Sequence, residues 1–346
     1  MLKTNDTVVL DFISLNPGLS SKEIFAKSDP GVSYATLKRI LVKLKSSNLL
    51  ISVGRGRATT YKISGSYALL KPVNLDIYFA EEIDERIIND SFNFSLMISV
   101  LSKVDLFTQA ELQGLDSKQQ EYLDNISQLS RSEYLKELER LAIDLSWKSS
   151  QIEGNTYSLL ETERLLKEKE TADGKAKDDA IMLLNHKQAL DFIINDPSYI
   201  NPITIARIED IHSLLIQDLG IDRNIRKRRV GISGTNYKPL DNEYQIKEAL
   251  KDMCQLVNSR SNVFEKALLL LVLISYIQAF NDGNKRTARI LSNAILINNG
   301  YCPISFRTVS SIDYKKAMLL FYEQNNISAF KRIFIEQFEF AVKTYF

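Results

Sequence analysis

Residues 276–290 read YIQAFNDGNKRTARI, and this stretch decides how the C-terminal part of the chain is interpreted. A mostly apolar run over residues 267–277 leads into it. Gly283 permits a tight backbone turn, and Lys285 to Arg289 open a predicted helix whose first N–H groups point at whatever lies before it. Because basic residues in a first helical turn oppose the helix dipole, they favour a bound anion. The residues alone leave two interpretations open: a phosphate-binding loop, or an ordinary turn between two helices.

Three side chains of the loop bear on its chemistry. Asp282 offers a carboxylate to a hard divalent cation such as Mg²⁺, and Asn284 can donate its amide to a phosphate oxygen. A transfer enzyme usually has a proton acceptor beside a bound nucleotide, but the nearest candidate is Gln278, whose amide cannot accept a proton at ordinary pH. As a phosphate-binding loop, this stretch would lack its general base; as an ordinary turn, it would need none.

The stretch from Gln278 to Arg289 resembles the signature of the Fic family, HPFxDGNGRxxR. It departs from that signature at Gln278 for His, Ala279 for Pro and Lys285 for Gly. The matching positions are Phe280, Asp282, Gly283, Asn284, Arg286 and Arg289. The resemblance covers roughly residues 132–340 and implies an all-α Fic core that transfers AMP from ATP, with Mg²⁺, to a hydroxyl of a target protein. It places catalytic roles at the Gln278 position, Arg286 and Arg289, and implies a nucleotide site of Gly283, Asn284, Lys285, Arg286, Arg289 and Asn293, with Asp282 on the metal.

Two other segments carry the resemblance. RRVGISGTNYKPL, residues 228–240, predicts a short β-hairpin and resembles the family's substrate-aligning flap, which we assign to Gly231, Ile232, Ser233, Gly234 and Thr235. SSQIEGN, residues 149–155, matches the family's inhibitory pattern [S/T]xxxE[G/N] at Ser149, Glu153 and Gly154. The resemblance implies that Glu153 pairs with Arg289 and blocks the seat of the γ-phosphate. The alternative is a plain helix end, with Gly154 as its stop.

The N-terminal residues 1–64 carry ten Lys/Arg and four Asp/Glu, a balance of +6 in a chain whose net charge is +1. Three helical patterns followed by LISVGRGRATTYKI, an alternating ribbon with a Gly-Arg turn, resemble a winged helix-turn-helix module. The third helix and the ribbon tip then predict contacts with duplex DNA. The candidate DNA-binding residues are Tyr34, Lys38, Arg39, Arg55 and Arg57. A solvated basic face on a protein-interaction module is the alternative.

Composition excludes several classes of protein. Hydrophobic residues make up 45% and charged residues 25% of the 346 residues, as in globular proteins. The longest apolar run is half the length needed to cross a bilayer, and no signal peptide is evident. Two cysteines fit a reducing, cytoplasmic compartment, and two histidines and two cysteines far apart argue against zinc. His186 and His212 lie in amphipathic helical patterns and are expected to be structural.

The sequence therefore predicts a winged-helix domain at 1–64, a helical connector at 65–131 and a Fic domain at 132–346. Two functions remain open: an autoinhibited adenylyltransferase weakened by Gln278, and a non-catalytic, nucleotide-sensing regulator that binds DNA. A homodimer is compatible with either.

Overall fold

The structure, a computed structural model, describes residues 4–28 and 31–346, apart from the side chain of Arg57. It divides into two compact units, one that ends at Pro72 and one from Val73 to Phe346. No helix in the described ranges is long and apolar enough to span a membrane.

In its described residues, the first unit combines four α-helices and a short 3₁₀ helix (Gly56–Ala58) with a small antiparallel sheet of order β1-β3-β2. Its elements are α1 (Thr4–Leu15), β1 (Leu19–Ser20), α2 (Ser21–Ser28), α3 (Tyr34–Ser46), β2 (Leu50–Val53), β3 (Thr60–Ile63) and α4 (Gly65–Leu70). The predicted ribbon is confirmed, because β2 pairs with β3 in the register Leu50↔Ile63 and Val53↔Thr60.

Helix α3 forms where the capping pattern predicts it. The Ser33 hydroxyl accepts a hydrogen bond from the Thr36 N–H at 3.2 Å, which satisfies one of the free donors at the helix start. Four apolar residues at helical spacing, Leu37, Ile40, Leu41 and Leu44, are buried in the core of this unit. The opposite face of α3, with Lys38 and Arg39, is left to solvent.

The second unit is helical. Its α-helices are α5 (Leu75–Tyr78), α6 (Gln109–Ser127), α7 (Arg131–Ile152), α8 (Leu159–Glu168), α9 (Lys177–Asn195), α10 (Ile205–Leu215), α11 (Glu243–Ser259), α12 (Val263–Ile277), α13 (Asn284–Asn298), α14 (Ser311–Gln324) and α15 (Ser328–Tyr345). Helix α12 is its central element, because every residue from Phe264 to Ile277 except Lys266 is buried. A helix that is apolar on all sides must be surrounded, and α11, α13, α14 and α15 pack around this one.

Of the connector predicted at residues 65–131, residues 65–72 belong to the first unit and residues 73–131 to the second. The Glu265 carboxylate of α12 accepts a hydrogen bond from the Leu106 N–H at 2.6 Å, and Gln119 of α6 donates to the Gly300 carbonyl at 3.0 Å. Leu101, Leu106, Leu115 and Tyr122 are buried. The segment is part of the helical core because its apolar side chains are buried in it.

The prediction of a β-hairpin at residues 228–240 is wrong. The segment is extended, with a turn at Ser233–Gly234, and has no strand pairing within itself. Its hydrogen bonding is directed to another part of the chain, because Lys238 forms a parallel bridge with Ser91 and its N–H donates to the Asp90 carbonyl at 2.9 Å. We keep the name flap for residues 228–240.

Candidate nucleotide site

The loop between α12 and α13 has two residues in the left-handed region. Gln278 ends α12 with φ +52°, and Gly283 begins α13 with φ +81°. A Cβ at Gly283 would lie 3.3 Å from the His212 ring and from Ile216, so this position has little room for a side chain. No described side chain caps α13, so the backbone N–H groups of its first turn remain available to an anion.

The side chain of Gln278 is held in place by three neighbours. Its Nε2 donates to the Ser275 carbonyl at 2.7 Å and to the Tyr322 hydroxyl at 3.1 Å, and its Oε1 accepts from Asn284 Nδ2 at 3.2 Å. Tyr322 is buried, and burial raises the pKa of its hydroxyl, so it is a poor substitute for a base. The amide at position 278 therefore has a fixed orientation and no basic group.

Asn284 has a structural task that the sequence did not predict. Its Oδ1 accepts from the Phe280 N–H at 2.9 Å and its Nδ2 donates to the Phe280 carbonyl at 2.8 Å, which closes the loop on itself. Since Nδ2 also donates to Gln278, both amide hydrogens are used within the loop. To contact a phosphate, as the sequence predicts, Asn284 would have to give up its bond to Gln278.

His212, on α10, packs against the loop. Its ring stacks on Phe280 with centroids 3.6 Å apart, and its Nε2 lies 3.0 Å from the Asp282 carbonyl, which can only accept. Burial lowers the pKa of His212, so the ring is neutral with its proton on Nε2. His186 is fully buried beside Ser146, and burial lowers its pKa well below the usual range. Both histidines fit the structural role that the sequence predicts for them.

Two arginines of α13 are buried next to the loop. Arg286 is 1% exposed and donates to the Asp282 carboxylate at 2.9 Å. Arg289 is 0% exposed, and its Nε donates to the Ser149 hydroxyl at 2.8 Å. Arg286 Nε and Arg289 Nη1 have no hydrogen-bond partner among the residues that the structure describes. Buried guanidinium groups with free donors beside a helix N-terminus form a region suited to phosphate oxygens.

The predicted contact of Glu153 with Arg289 is present. Glu153 ends α7, and its Oε1 lies 2.9 Å from Arg289 Nη2. Its Oε2 lies 3.2 Å from Lys285 Nζ, a second contact that the sequence did not predict. Burial alone would raise the pKa of Glu153, but the charges of Arg289 and Lys285 outweigh it and lower the pKa to about 2. Ser149 and Glu153 both contact Arg289, as their spacing of four residues in a helix predicts.

Arg226 joins the flap to the loop, a role that the sequence analysis does not predict. The guanidinium is 1% exposed and donates to three carbonyls: Gln278 at 2.6 Å, Arg228 at 2.7 Å and Leu240 at 2.5 Å. Its own N–H donates to the Ala279 carbonyl at 3.0 Å. Both ends of the flap are thereby tied to the first residues of the loop.

The predicted flap residues differ in exposure and contacts. Gly231, Ser233 and Gly234 are exposed, Ile232 is half-buried, and Thr235 is buried, with its hydroxyl accepting from the Tyr237 N–H at 3.1 Å. The Gly234 carbonyl accepts from Arg86 Nη2 at 2.8 Å.

One predicted nucleotide-binding residue is contradicted. Asn293 is 0% exposed, and its Nδ2 donates to the carbonyls of Arg289 and Ile304 at 3.0 and 3.1 Å. Its Oδ1 accepts from the Ile304 N–H at 2.7 Å. Because the whole amide is used to hold α13 against residue 304, Asn293 has no group left for a ligand.

A magnesium ion is compatible with Asp282 only if phosphates supply further ligands. Within residues 4–28 and 31–346, no group of three or more His, Cys, Asp or Glu side chains could hold a metal. Asp282 is 60% exposed, with one oxygen on Arg286. Mg²⁺ is usually bound through one or two carboxylates plus substrate phosphates and water, so the residues present fit a metal that arrives with a nucleotide.

The candidate DNA-binding residues lie in the first unit. Lys38, Arg39 and Arg55 are exposed, with Lys38 Nζ 5.1 Å from the centroid of the Tyr34 ring. Tyr34 itself is half-buried, and its hydroxyl is 2.9 Å from the Ser21 hydroxyl, so it is better placed to support Lys38 than to contact a ligand. The side chain of Arg57 lies outside the described part of the chain.

Comparison with known proteins identifies the fold around this site. Residues 202–296 match the Fic/DOC family, a range that includes the flap and the loop but excludes Ser149, Glu153 and the first unit. Protein adenylyltransferase fic-1 of Caenorhabditis elegans is 27% identical over 171 residues, 47% of this chain and 33% of that protein. Protein adenylyltransferase Fic of Nematostella vectensis is 30% identical over 183 residues, 48% of this chain and 40% of that protein. The chain thus spans well under half the length of these curated relatives.

Two solved structures of Fic proteins align with this chain. A segment of Fic-1 from C. elegans aligns with a TM-score of 0.59 at 24% identity, covering 68% of this chain and 72% of that one. A Fic-domain signaling protein from Bacteroides thetaiotaomicron aligns with a TM-score of 0.56 at 20% identity, covering 66% and 94%. At these identities the likeness shows the fold alone, and it confirms the helical Fic core that the sequence predicts.

Proposed function

Because this chain is a Fic family protein, we propose that it binds ATP with Mg²⁺ and transfers AMP to a hydroxyl of a target protein, with an activity that Gln278 weakens and Glu153 restrains. The observation that carries the proposal is the position of Arg289, buried at the loop with its guanidinium held by Glu153. A buried arginine beside an uncapped helix N-terminus favours an anion, and in this structure the Glu153 carboxylate is the anion that contacts Arg289.

The roles of the loop residues follow from their contacts. The N–H groups at the start of α13, with Arg286 and Arg289, would bind phosphate oxygens. Asp282 would hold Mg²⁺ together with those phosphates, and the metal would neutralise the charge that develops on them. The flap, tied to the loop by Arg226, would align the target segment beside the α-phosphate.

The proposed reaction is a displacement at phosphorus. The hydroxyl oxygen of the target attacks the α-phosphorus, the bond to the bridging oxygen breaks, and pyrophosphate leaves. The hydroxyl proton must go to an acceptor, and the Gln278 amide cannot take it. General-base help is typically worth about 10² to 10⁴ in rate, while positioning and charge stabilisation carry most of such transfers. We therefore expect slow transfer with nucleotide binding retained.

The test combines two substitutions, Glu153→Gly and Gln278→His, in all four combinations. Calorimetry measures ATP binding in the presence of Mg²⁺, and intact mass measures AMP added to the protein itself. Glu153→Gly alone should strengthen ATP binding, because Arg289 becomes free for a phosphate, with little gain in transfer. The double variant should label faster by about 10² or more, since the added imidazole can act as the base.

Two results would contradict the proposal. If no variant binds ATP, the loop is not a nucleotide site. If Glu153→Gly labels itself as fast with Gln278 as with His at that position, then Gln278 does not mark a missing base. The effects of the two changes should be non-additive, because they complete one site.

A second candidate function is a DNA-binding regulator whose Fic domain senses nucleotide. It is favoured by the exposed Lys38, Arg39 and Arg55 of the first unit and by the fixed, non-basic side chain of Gln278. In that case ATP should change DNA affinity, and DNA should change ATP affinity by the same factor, because coupling free energies are reciprocal. Fluorescence anisotropy of a labelled duplex measures DNA affinity with and without ATP. Equal affinities in the two conditions would contradict this second function.

A further inference from the structure

Gln278 has a backbone conformation in which glycine is the usual residue. Its φ of +52° and ψ of +55° lie in the left-handed region, where the Cβ of any other residue crowds the backbone. Helices commonly end on a glycine in this conformation, because glycine avoids that strain. A residue that keeps a strained side chain beside a candidate site points to a use for that side chain.

The buried side of Gln278 offers two hydrogen-bond acceptors to its amide. The Ser275 carbonyl can only accept, and the Tyr322 hydroxyl donates to it at 3.0 Å. Since that hydroxyl has donated its single hydrogen, it presents an oxygen to Gln278. Gln278 Nε2 lies 2.7 Å from the carbonyl and 3.1 Å from the hydroxyl, so the two hydrogens of the NH2 group match the two acceptors.

The opposite side of the Gln278 amide faces a donor. Asn284 is held by the Phe280 backbone, with Oδ1 accepting from its N–H and Nδ2 donating to its carbonyl. The Asn284 Nδ2 therefore meets Gln278 Oε1 as a donor, at 3.2 Å. Turning the Gln278 amide by 180° would set N–H against N–H on this side and oxygen against oxygen on the other. Because Asn284 begins α13, the carbonyl of the amide is fixed on the side of the proposed phosphate site.

Tyr322 is itself held by aromatic packing. It is 1% exposed, and its ring stacks on that of Tyr237, with centroids 5.5 Å apart and 6° between the planes. A second ring, Tyr276, lies 6.3 Å away at 19°. Burial raises the pKa of Tyr322, so the hydroxyl keeps the hydrogen that it donates to Ser275. A buried hydroxyl on a closely packed ring is a rigid anchor for the amide.

We propose that Tyr322 is a positioning residue that holds the Gln278 amide with its carbonyl oxygen toward the start of α13, where this oxygen accepts a hydrogen bond from the attacking hydroxyl. The proposal rests on the proposed function, because the hydroxyl is that of the target protein. A hydroxyl whose hydrogen is held in this way directs a lone pair at the α-phosphorus. Glutamine orients the attacking water similarly in several GTPases. The amide does not take the proton, which passes to water as the bond from oxygen to phosphorus forms and pyrophosphate leaves.

The first measurement observes the amide directly and needs no activity. The protein is labelled with ¹⁵N at glutamine, and the Gln278 NH2 signals are assigned by their loss in Gln278→Met. Tyr322→Phe removes only the hydroxyl, so exchange of the NH2 hydrogens with solvent should become faster by about fivefold or more. The matched control is Tyr276→Phe, which removes a buried hydroxyl of the same stack that accepts from the Asn93 N–H, and it should leave this exchange unchanged. Equal exchange in Tyr322→Phe and in the unchanged protein would overturn the proposal.

The second measurement is AMP transfer in the Glu153→Gly background, where Arg289 is free for a phosphate. Tyr322→Phe should lower kcat by about tenfold and leave the affinity for ATP unchanged, and Tyr276→Phe should change neither. In Gln278→Met, which has no amide to hold, Tyr322→Phe should have no further effect.

The outcomes separate this proposal from the proposed function. If Tyr322→Phe lowers kcat as much with Met at position 278 as with Gln278, or lowers ATP affinity along with kcat, Tyr322 supports the loop in general and the positioning role is refuted. If no variant transfers AMP, the proposed function fails, and exchange of the Gln278 NH2 group still decides whether Tyr322 holds the amide.

Discussion

Glu153 lies between two cations, with one carboxylate oxygen on Arg289 and the other on Lys285. Breaking a buried ion pair by removing one partner costs about 3–5 kcal/mol, because the remaining charge is left uncompensated. In the proposed function, a phosphate would have to displace the carboxylate to reach Arg289, so the loss of this pair would oppose ATP binding. Lys285, which departs from the Fic signature, adds a second cation to the contact that we propose to be inhibitory.

The low pKa of Glu153 predicts how this contact responds to pH. A carboxyl group whose pKa falls from 4.5 unfolded to about 2 folded stabilises the protein above pH 4.5 and loses that contribution as the pH falls toward 2. The difference corresponds to about 3 kcal/mol. The stability advantage over Glu153→Gln should therefore be constant from pH 8 to pH 5 and shrink below pH 4.5, as measured by urea unfolding.

ATP binding checks the same prediction independently. The affinity of the unchanged protein should stay below that of Glu153→Gly across pH 5 to 8. If acidification to pH 5 alone brought the two affinities together, the two cations would not hold the carboxylate as described. Glu336→Gln is the control for unfolding, because that surface glutamate is 61% exposed and should contribute within about 0.5 kcal/mol at any pH.

Substitution of Gly283 provides a second prediction about a single residue. Gly283→Ala places a side chain at φ +81° and within 3.3 Å of His212 and Ile216, so it should cost about 2–3 kcal/mol and weaken ATP binding. Gly300→Ala is a matched control, with φ +72° but open space around the added Cβ. It should cost only the backbone term, about 1 kcal/mol, and leave ATP binding unchanged. Equal losses in the two variants would mean that the contact with His212 is unimportant.

Among the elements of the fold, the flap depends on Arg226 for its connection to the loop. Arg226→Lys keeps the charge but cannot reach the carbonyls of Gln278, Arg228 and Leu240 together, so we expect a loss of about 3 kcal/mol. Hydrogen exchange should become faster at the Arg226 and Lys238 amides, which donate to Ala279 and Asp90. Because Arg229 is 80% exposed in a surface pair, Arg229→Lys should change neither. Unchanged exchange in Arg226→Lys would show that the flap is held by other contacts.

Local patterns explain why some elements could be predicted. The start of α3 follows from the Ser33 cap and a helical apolar stripe, and the Glu153–Arg289 contact follows from a signature match at both ends. The path of the flap could not be read in this way, because its Gly- and β-branched composition fits a hairpin while its pairing partner, Ser91, lies far along the chain. Arg226 is one of several basic residues in RNIRKRR, and only burial distinguishes it.

Asn293 shows the same limit within the site. The resemblance to the Fic family implied a ligand contact for Asn293, but the sequence does not reveal that Ile304 forms hydrogen bonds with its amide. A polar side chain that is buried and hydrogen-bonded to distant backbone cannot be distinguished, from the sequence alone, from one that binds a ligand.

Across the whole molecule, net charge is distributed unevenly, with the positive excess near the N-terminus. The +6 balance of residues 1–64, set against +1 overall, concentrates attraction for a polyanion in the first unit. Lys38 and Arg39 are exposed on α3, and Arg55 is exposed in the turn after β2. Because these cations are free of carboxylate partners among the described residues, their full charge is available to phosphates.

We therefore predict that the 346-residue chain binds duplex DNA with an affinity that falls steeply as salt rises. Replacing Lys38, Arg39 and Arg55 together by Ala should abolish the shift of a genomic duplex pool at moderate salt. Single replacements should reduce the slope of log affinity against log salt by roughly one for each side chain that contacts a phosphate. The control removes three exposed cations of the second unit, Lys167, Lys247 and Arg332, and should leave binding unchanged. If both triple variants lose binding equally, only net charge matters; if the unchanged protein shows no salt-sensitive binding, the basic face of α3 serves a protein partner instead.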